Sequence, residues 1–270
     1  MSSILCLGNF GDGNEGQYKV KDLMLYLYKK YNYKFILGLG NNILPNGVIS
    51  STDIQFKTKF EEPYKELLEK VKFYNILGEK DSISNKSIKG EINYSNINKK
   101  WILPHNFYCF KKYINKVPVE FIILDSNKIK NKTQEVWSIN TILESKSRWN
   151  ILISHHPWYL DGSNNECSDE LNNLFNKLND TNKIDLIISG NANSQQHIYV
   201  PNKPNMIISG VGSNFNNSID NNPIIKIYDE LKFISKEMGC SVIEFTKNKL
   251  NVSFYNIKKE KLHNFSIIKY

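Results

Sequence analysis

The sequence predicts an α/β fold, residues 1–270 forming a single domain, and three observations carry that expectation. Short β-prone runs alternate with segments of helical period through most of the chain. Those runs end repeatedly in glycine or serine followed by a polar residue, the pattern of strands that deliver side chains to a common edge. The C-terminal part then changes character, to strands with no helices between them. With 40% hydrophobic and 23% charged residues, a folded core is within reach and wholesale disorder is not expected.

Taken in order, Ile4–Leu7 reads as the first strand, Gly8–Gly16 as a glycine-rich loop, and Tyr18–Tyr31 as a helix, with Val20, Leu23, Met24 and Leu27 on its apolar face. A strand over Phe35–Leu39 follows, then a helix over Glu61–Val71 and a strand over Phe73–Leu77. Further strands are expected at Val119–Leu124, Asn150–Ile153 and Ile184–Ile188, with helices at Val136–Leu143 and Ser168–Leu178. In the last of these helices Ser168 suits the N-cap, and Asp169 and Glu170 suit the first turn. Met206–Ser209, Cys240–Phe245 and Leu250–Tyr255 complete the strands. The Asn/Lys-rich stretches 82–100 and 213–223 read as polar surface loops and are the expected sites of partner contact.

The formal net charge is +8, yet Arg148 is the sole arginine among 35 Lys and Arg residues. Specific recognition of guanine and phosphate leans on the guanidinium fork, so a specific nucleic-acid partner is not expected. Cys6, Cys109, Cys167 and Cys240 form no CxxC pair or zinc spacing and are expected as buried free thiols. No run of about 18 apolar residues predicts a membrane segment, and no leader is visible, so a cytoplasmic location is expected. Gly11-Asp12-Gly13-Asn14-Glu15-Gly16 fits G-x-G-x-x-G, but Asn41 or Asn42 stands where a dinucleotide site needs an acidic residue. A flexible loop is the better reading.

The chemistry concentrates at five strand ends: GNFG (8–11), LGNNIL (39–44), LGEKD (77–81), ISHHP (153–157) and SGNAN (189–193). In order and spacing these resemble the G-D-x-G, G-D-N-x-Y, G-N-H-D, G-H-x-P-type and G-H-x-H signatures of the calcineurin-like metallophosphatases, within them the purple, tartrate-resistant acid phosphatases. KKWILPHNFYCF (99–110), FIILDS (121–126) and IISGVGSNF (207–215) support the resemblance, which spans nearly the whole chain. It implies a four-layer α/β/β/α sandwich with its pocket at the strand ends, and a two-metal phosphoesterase site.

Carried over residue by residue, that metal site is degenerate. The resemblance places the first Asp at Asn9, the bridging Asp at Asn41, the tyrosine at Leu44, the asparagine of G-N-H-D at Glu79 and its histidine at Lys80. The two histidines of G-H-x-H fall on Asn191 and Asn193, and His155 alone stands as the family's ligand. Two divalent cations about 3.5–4 Å apart repel by about 15–20 kcal/mol at an effective dielectric near 20, which anionic ligands must offset. Neutral amides at 9 and 41 and a leucine at 44 offer little of that. The expected function is therefore that of a catalytically inactive pseudophosphatase, a binding or scaffold protein with a protein partner and no cofactor beyond at most one weakly bound divalent metal. The alternatives are a phosphoesterase with a residual single-metal or altered site, and a sensor of a small anion or nucleotide held by Lys80 and His155. His155-His156-Pro157 reads as a structural pair.

Overall fold

The computed structural model describes residues 3–163, 167–213 and 228–270. Two seven-stranded sheets form its centre. The first is ordered β14 (Lys261–Ile268), β13 (Lys249–Asn256), β12 (Gly239–Phe245), β1 (Ser3–Leu7), β2 (Ile36–Gly38), β3 (Phe73–Asn75) and β4 (Trp101–Ile102). The second is ordered β11 (Leu231–Ser235), β9 (Gln195–Ile198), β10 (Asn205–Ser209), β8 (Leu186–Ser189), β7 (Trp149–Ser154), β6 (Val117–Ile123) and β5 (Tyr108–Ile114). In each sheet four parallel strands carry antiparallel strands at the margin: β1 to β4 in the first, and β6, β7, β8 and β10 in the second.

Strand periodicity explains why the second sheet reads as unbroken Ile and Leu. Phe121, Ile123, Ile151, Ile153, Ile188 and Ile207 join the core shared with the first sheet. Their alternates Ile122, Leu152, Ile187, Met206 and Ile208 pack outward with residues of α5 (Lys132–Glu144) and α6 (Asp169–Asn179). Both faces are buried, so both sets must be apolar. On the first sheet, α1 (Glu15–Tyr31) buries Val20, Leu23, Met24 and Leu27. This is the expected α/β/β/α sandwich. Among the described residues no helix is long and apolar enough to cross a membrane.

Several boundaries differ from expectation. The helix expected over Glu61–Val71 is broken: α2 (Ile54–Phe56) runs into a π turn at Lys57–Glu61, and α3 covers only Lys65–Leu68. Pro63, which has no N–H to donate, separates them. The expected loop at 82–100 contains α4 (Asn85–Ile97), whose first turn is capped by the Ser84 side chain accepting from the Ser87 N–H at 3.1 Å. Its Asn-rich composition hides a buried stripe of Ser87, Ile88, Glu91 and Tyr94. The stretch expected as a loop at 213–223 lies, beyond Ser213, outside the described residues. Two thiols also depart from expectation: Cys6 and Cys240 are buried, but Cys109 is exposed and Cys167 half-buried.

Candidate functional site

The carboxyl ends of β1, β2, β3, β7 and β8 converge where the two sheets meet. Backbone bonds tie them: Gly8 N–H donates to Ser209 O at 2.6 Å, Asn9 N–H to Gly40 O at 3.0 Å, and Gly190 N–H to His155 O at 3.1 Å. This closeness requires glycine. A Cβ on Gly190 would sit 2.2 Å from the Leu39 carbonyl oxygen, and Gly40 adopts φ +90° with only 2.4 Å between a would-be Cβ and His155 Nδ1.

Asn9 and Asn41 follow β1 and β2, each in the left-handed region at φ 54°, which asparagine tolerates better than most residues. Both are buried. The Asn41 amide is the hub: its Nδ2 donates to Asn9 Oδ1 at 2.9 Å and to Glu79 Oε1 at 3.0 Å. Its Oδ1 accepts the Lys80 backbone N–H at 2.9 Å. Asn9 Nδ2 donates to Gly210 O at 2.8 Å and reaches Asn193 Oδ1 at 3.4 Å.

His155, fully buried, closes the other side. Its Nδ1 lies 2.6 Å from the Leu39 carbonyl and must donate to it. Its Nε2 lies 2.5 Å from Glu79 Oε2, so one proton rests between them. Burial works against the ionised Glu79 carboxyl, but the hydrogen bond and charge of His155, with the Asn41 amide, outweigh it and hold its pKa at about 2. Both Glu79 oxygens are thus engaged.

The structure brings Asn9, Asn41, Glu79, His155 and, at its edge, Asn193 into one network. Leu44 is fully buried and contributes its backbone, accepting from the Lys59 ammonium. Asn191 is half-buried and anchored by its N–H to His155 O at 2.8 Å. Lys80 enters the network through its backbone; its ammonium makes no hydrogen bond or ion pair to a described residue. Both His155 nitrogens are thus occupied, so the imidazole has no free N–H to offer an anion beside Lys80. Asp81 serves the scaffold: its carboxylate accepts from Gly78 N–H at 2.8 Å and Asn42 N–H at 2.9 Å, pinning the two loops together. Burial raises the pKa of Asp81, and burial plus the Asp81 charge raise that of Glu91 behind it.

Beside the network opens a cavity of about 620 Å³, reached by Glu79, Asn191 and Ala192 on one side and by Ser126, Asn127, His156, Trp158 and Leu171 on others. Sequence reasoning passed over Ser126 and Asn127, although they follow Asp125 at the end of the predicted strand Val119–Leu124 and the strand-end rule applied to them too. His156 differs from its neighbour: it faces the cavity, with Nδ1 2.8 Å from Ser126 Oγ, and burial together with His155 pushes its pKa down to about 4.

Comparison with known proteins agrees with this architecture. Residues 3–190 match the profile of the family described as calcineurin-like phosphoesterase. Purple acid phosphatase 4 of Arabidopsis thaliana is 24% identical over 294 residues, covering 99% of this chain and 84% of that one. Tartrate-resistant acid phosphatase type 5 of Homo sapiens is 36% identical over a shorter 95 residues, 34% of this chain and 29% of that one. Among solved structures, GAP50, the anchor in the inner membrane complex of Plasmodium, superposes with a TM-score of 0.83 at 21% identity over 99% of this chain and 89% of its own. Purple acid phosphatase PPD1 from yellow lupin (Lupinus luteus) seeds gives a TM-score of 0.72 at 13% identity, covering 99% of this chain and 53% of that one. With the family profile matched over well above half of its length, the chain belongs to the calcineurin-like phosphoesterases.

Proposed function

We propose that this chain is a non-catalytic member of its family, a pseudophosphatase whose retained fold serves as a binding or scaffold surface for a protein partner. The observation that carries the reading is the Asn41 amide, whose Nδ2 donates to Asn9 Oδ1 at 2.9 Å and to Glu79 Oε1 at 3.0 Å. An N–H donor gathers two acceptors that a shared cation would otherwise gather. The oxygens left for a metal pair are neutral amides already holding hydrogen bonds, with one carboxylate tied to His155. Such donors do not fit two divalent cations, whose repulsion of about 15–20 kcal/mol needs several anionic ligands to offset it. A single metal would have to part Glu79 from His155 and Asn41.

Retention of the fold without its metal chemistry supports a role in interaction, and the similarity in fold to a Plasmodium anchor protein is in keeping with it. The lysine-dominated surface, with Arg148 as its sole arginine, directs the search to proteins rather than to nucleic-acid sequence. Metal content of the purified protein and turnover of a generic phosphomonoester test the proposal. Substoichiometric iron, zinc and manganese with no turnover is the expected result. Near-stoichiometric metal with turnover abolished by His155→Ala would overturn it and establish an altered phosphoesterase.

A further inference from the structure

The cavity beside Glu79 lacks the cationic side chains of a phosphate site. Its lining holds one ionised carboxylate, Glu79, and no lysine or arginine among the described residues. Two lining residues each bury a polar atom without a hydrogen-bond partner among the described residues: Asn127 its carbonyl oxygen Oδ1, and Ser82 its hydroxyl. Asn127 is held in that orientation, because its Nδ2 is spent on Leu77 O at 3.1 Å and Asp125 Oδ1 at 3.0 Å. A carboxylate, an orphaned carbonyl and an orphaned hydroxyl together call for a ligand rich in N–H donors.

Ile129, Pro157, Leu160 and Leu171 supply apolar wall, alongside the polar Ser126, His156, Ser168 and Asn191. Lys80 follows Glu79 in sequence but does not line the cavity, and the other cations nearby are engaged. In the adjoining cavity Lys130 pairs with Glu170 at 3.1 Å and Lys128 donates to Asn85 Oδ1 at 3.3 Å. Lys203 lies over the Trp158 ring, 4.1 Å from its centroid.

Resting on the reading of the chain as a binding protein, we propose that this cavity receives a guanidinium or ammonium group on an apolar stem, as an arginine or lysine side chain of a protein partner presents it. The cation meets the Glu79 carboxylate, its other N–H groups meet Asn127 Oδ1 and Ser82 Oγ, and its methylenes lie along Ile129 and Leu171.

Titration of isotope-labelled protein followed by amide and indole NMR shifts tests this with the blocked tripeptide Ac-Ala-Arg-Ala-NH2, its neutral citrulline counterpart, butylguanidinium and inorganic phosphate. Expected are shifts at Glu79, Asn127 and the Trp158 indole with the arginine peptide, and binding weaker by about ten-fold or more with citrulline, the loss of one charge-assisted contact. Glu79→Gln should weaken arginine binding similarly, and the citrulline comparison needs no altered protein. Tighter binding of the tripeptide than of butylguanidinium supports a partner's side chain; equal binding supports the same cation-binding pocket occupied by a free amine-type ligand. Equal affinity for arginine and citrulline, tighter binding of phosphate, or no shift with arginine overturns the proposal. Phosphomonoester turnover reads the pseudophosphatase assignment separately, so a chain that neither hydrolyses nor binds arginine fails here alone.

Discussion

Replacing Asn41 by aspartate reaches the centre of the network. The two side chains have nearly the same shape, and the left-handed φ of 54° at this position is open to both. What changes is that a donor becomes an anionic acceptor, at the point where Nδ2 now lies 3.0 Å from Glu79 Oε1. Two unit charges at that separation repel by about 5 kcal/mol at an effective dielectric near 20. The Glu79 side chain is 37% exposed, so solvent screening removes roughly half of that. Asn9 Oδ1 also loses its donor, a further cost of about 1 kcal/mol. Asn41→Asp should therefore be less stable than the parent by about 3–4 kcal/mol at neutral pH, read from urea unfolding in the presence of a chelator. Added manganese or zinc should recover much of the loss in the variant and leave the parent unmoved. A variant as stable as the parent under chelation would refute the idea that this N–H holds the cluster together. A metal-dependent rise in the parent would refute the idea that amides have displaced cations.

Two other perturbations probe the scaffold around the site. Buried His197 on β9 donates from Nε2 to Asn205 Oδ1 at 2.9 Å and accepts at Nδ1 from His263 Nε2 on β14 at 3.1 Å, bridging the two sheets in the neutral state. Burial, reinforced by His263, lowers the His197 pKa to about 4. Only the unfolded chain takes up that proton below pH 6.5, so stability is complete above 6.5 and falls toward pH 4, by at most about 3 kcal/mol. His197→Phe, which keeps the stacking on Phe265, should flatten this slope in denaturation series at stepped pH; an unchanged slope would assign the acid sensitivity elsewhere. Gly190→Ala places a Cβ 2.2 Å from the Leu39 carbonyl, between the sheet ends, and should cost about 2 kcal/mol or more. A loss under about 0.5 kcal/mol, within the usual range for surface changes, would show that the sheets separate freely there.

Much of this molecule was legible in its sequence because strand ends are punctuated. Gly8, Gly40, Gly78 and Gly190 mark the close approaches; the first three are each followed by a residue of the network, and Gly190 by Asn191 at its border. Alternating burial in the second sheet was not legible, since a sheet buried on both faces carries no polar period. The helix α4 was missed because its buried face is largely polar: Glu91 is drawn inward by Asn42 at 2.9 Å, a contact that composition cannot reveal. The hydrogen bonds that define the site were hidden for a related reason. Asn9, Asn41, Glu79 and His155 stand on four different loops, and whether an asparagine there offers its oxygen or its nitrogen is decided by neighbours distant in sequence. Strand β14 was the avoidable omission, for Lys261–Ile268 carries the alternating exposure of an edge strand.

The substitutions at 41 and 79 are better understood together than singly. Resemblance to the metallophosphatases implies a carboxylate at 41 and an amide at 79; this chain carries the amide at 41 and the carboxylate at 79. The pair has exchanged functional groups while keeping one amide and one carboxylate in contact, at 3.0 Å. The exchange also accounts for a retained imidazole, since His155 now has an anion to meet at 2.5 Å. If complementarity within the pair is what matters, Glu79→Asn should be less damaging in the Asn41→Asp background than in the parent, because there it removes a repulsion and restores an amide–carboxylate contact with the roles reversed. A double-mutant cycle in urea should give a favourable coupling of about 2 kcal/mol, near the screened repulsion that Asn41→Asp introduces against the Glu79 carboxylate and that Glu79→Asn relieves. The reversal does not restore a partner for His155 Nε2, so the double variant should remain less stable than the parent. Strictly additive losses would mean that the two positions do not sense each other, and the network would then owe its cohesion to the His155–Glu79 contact alone.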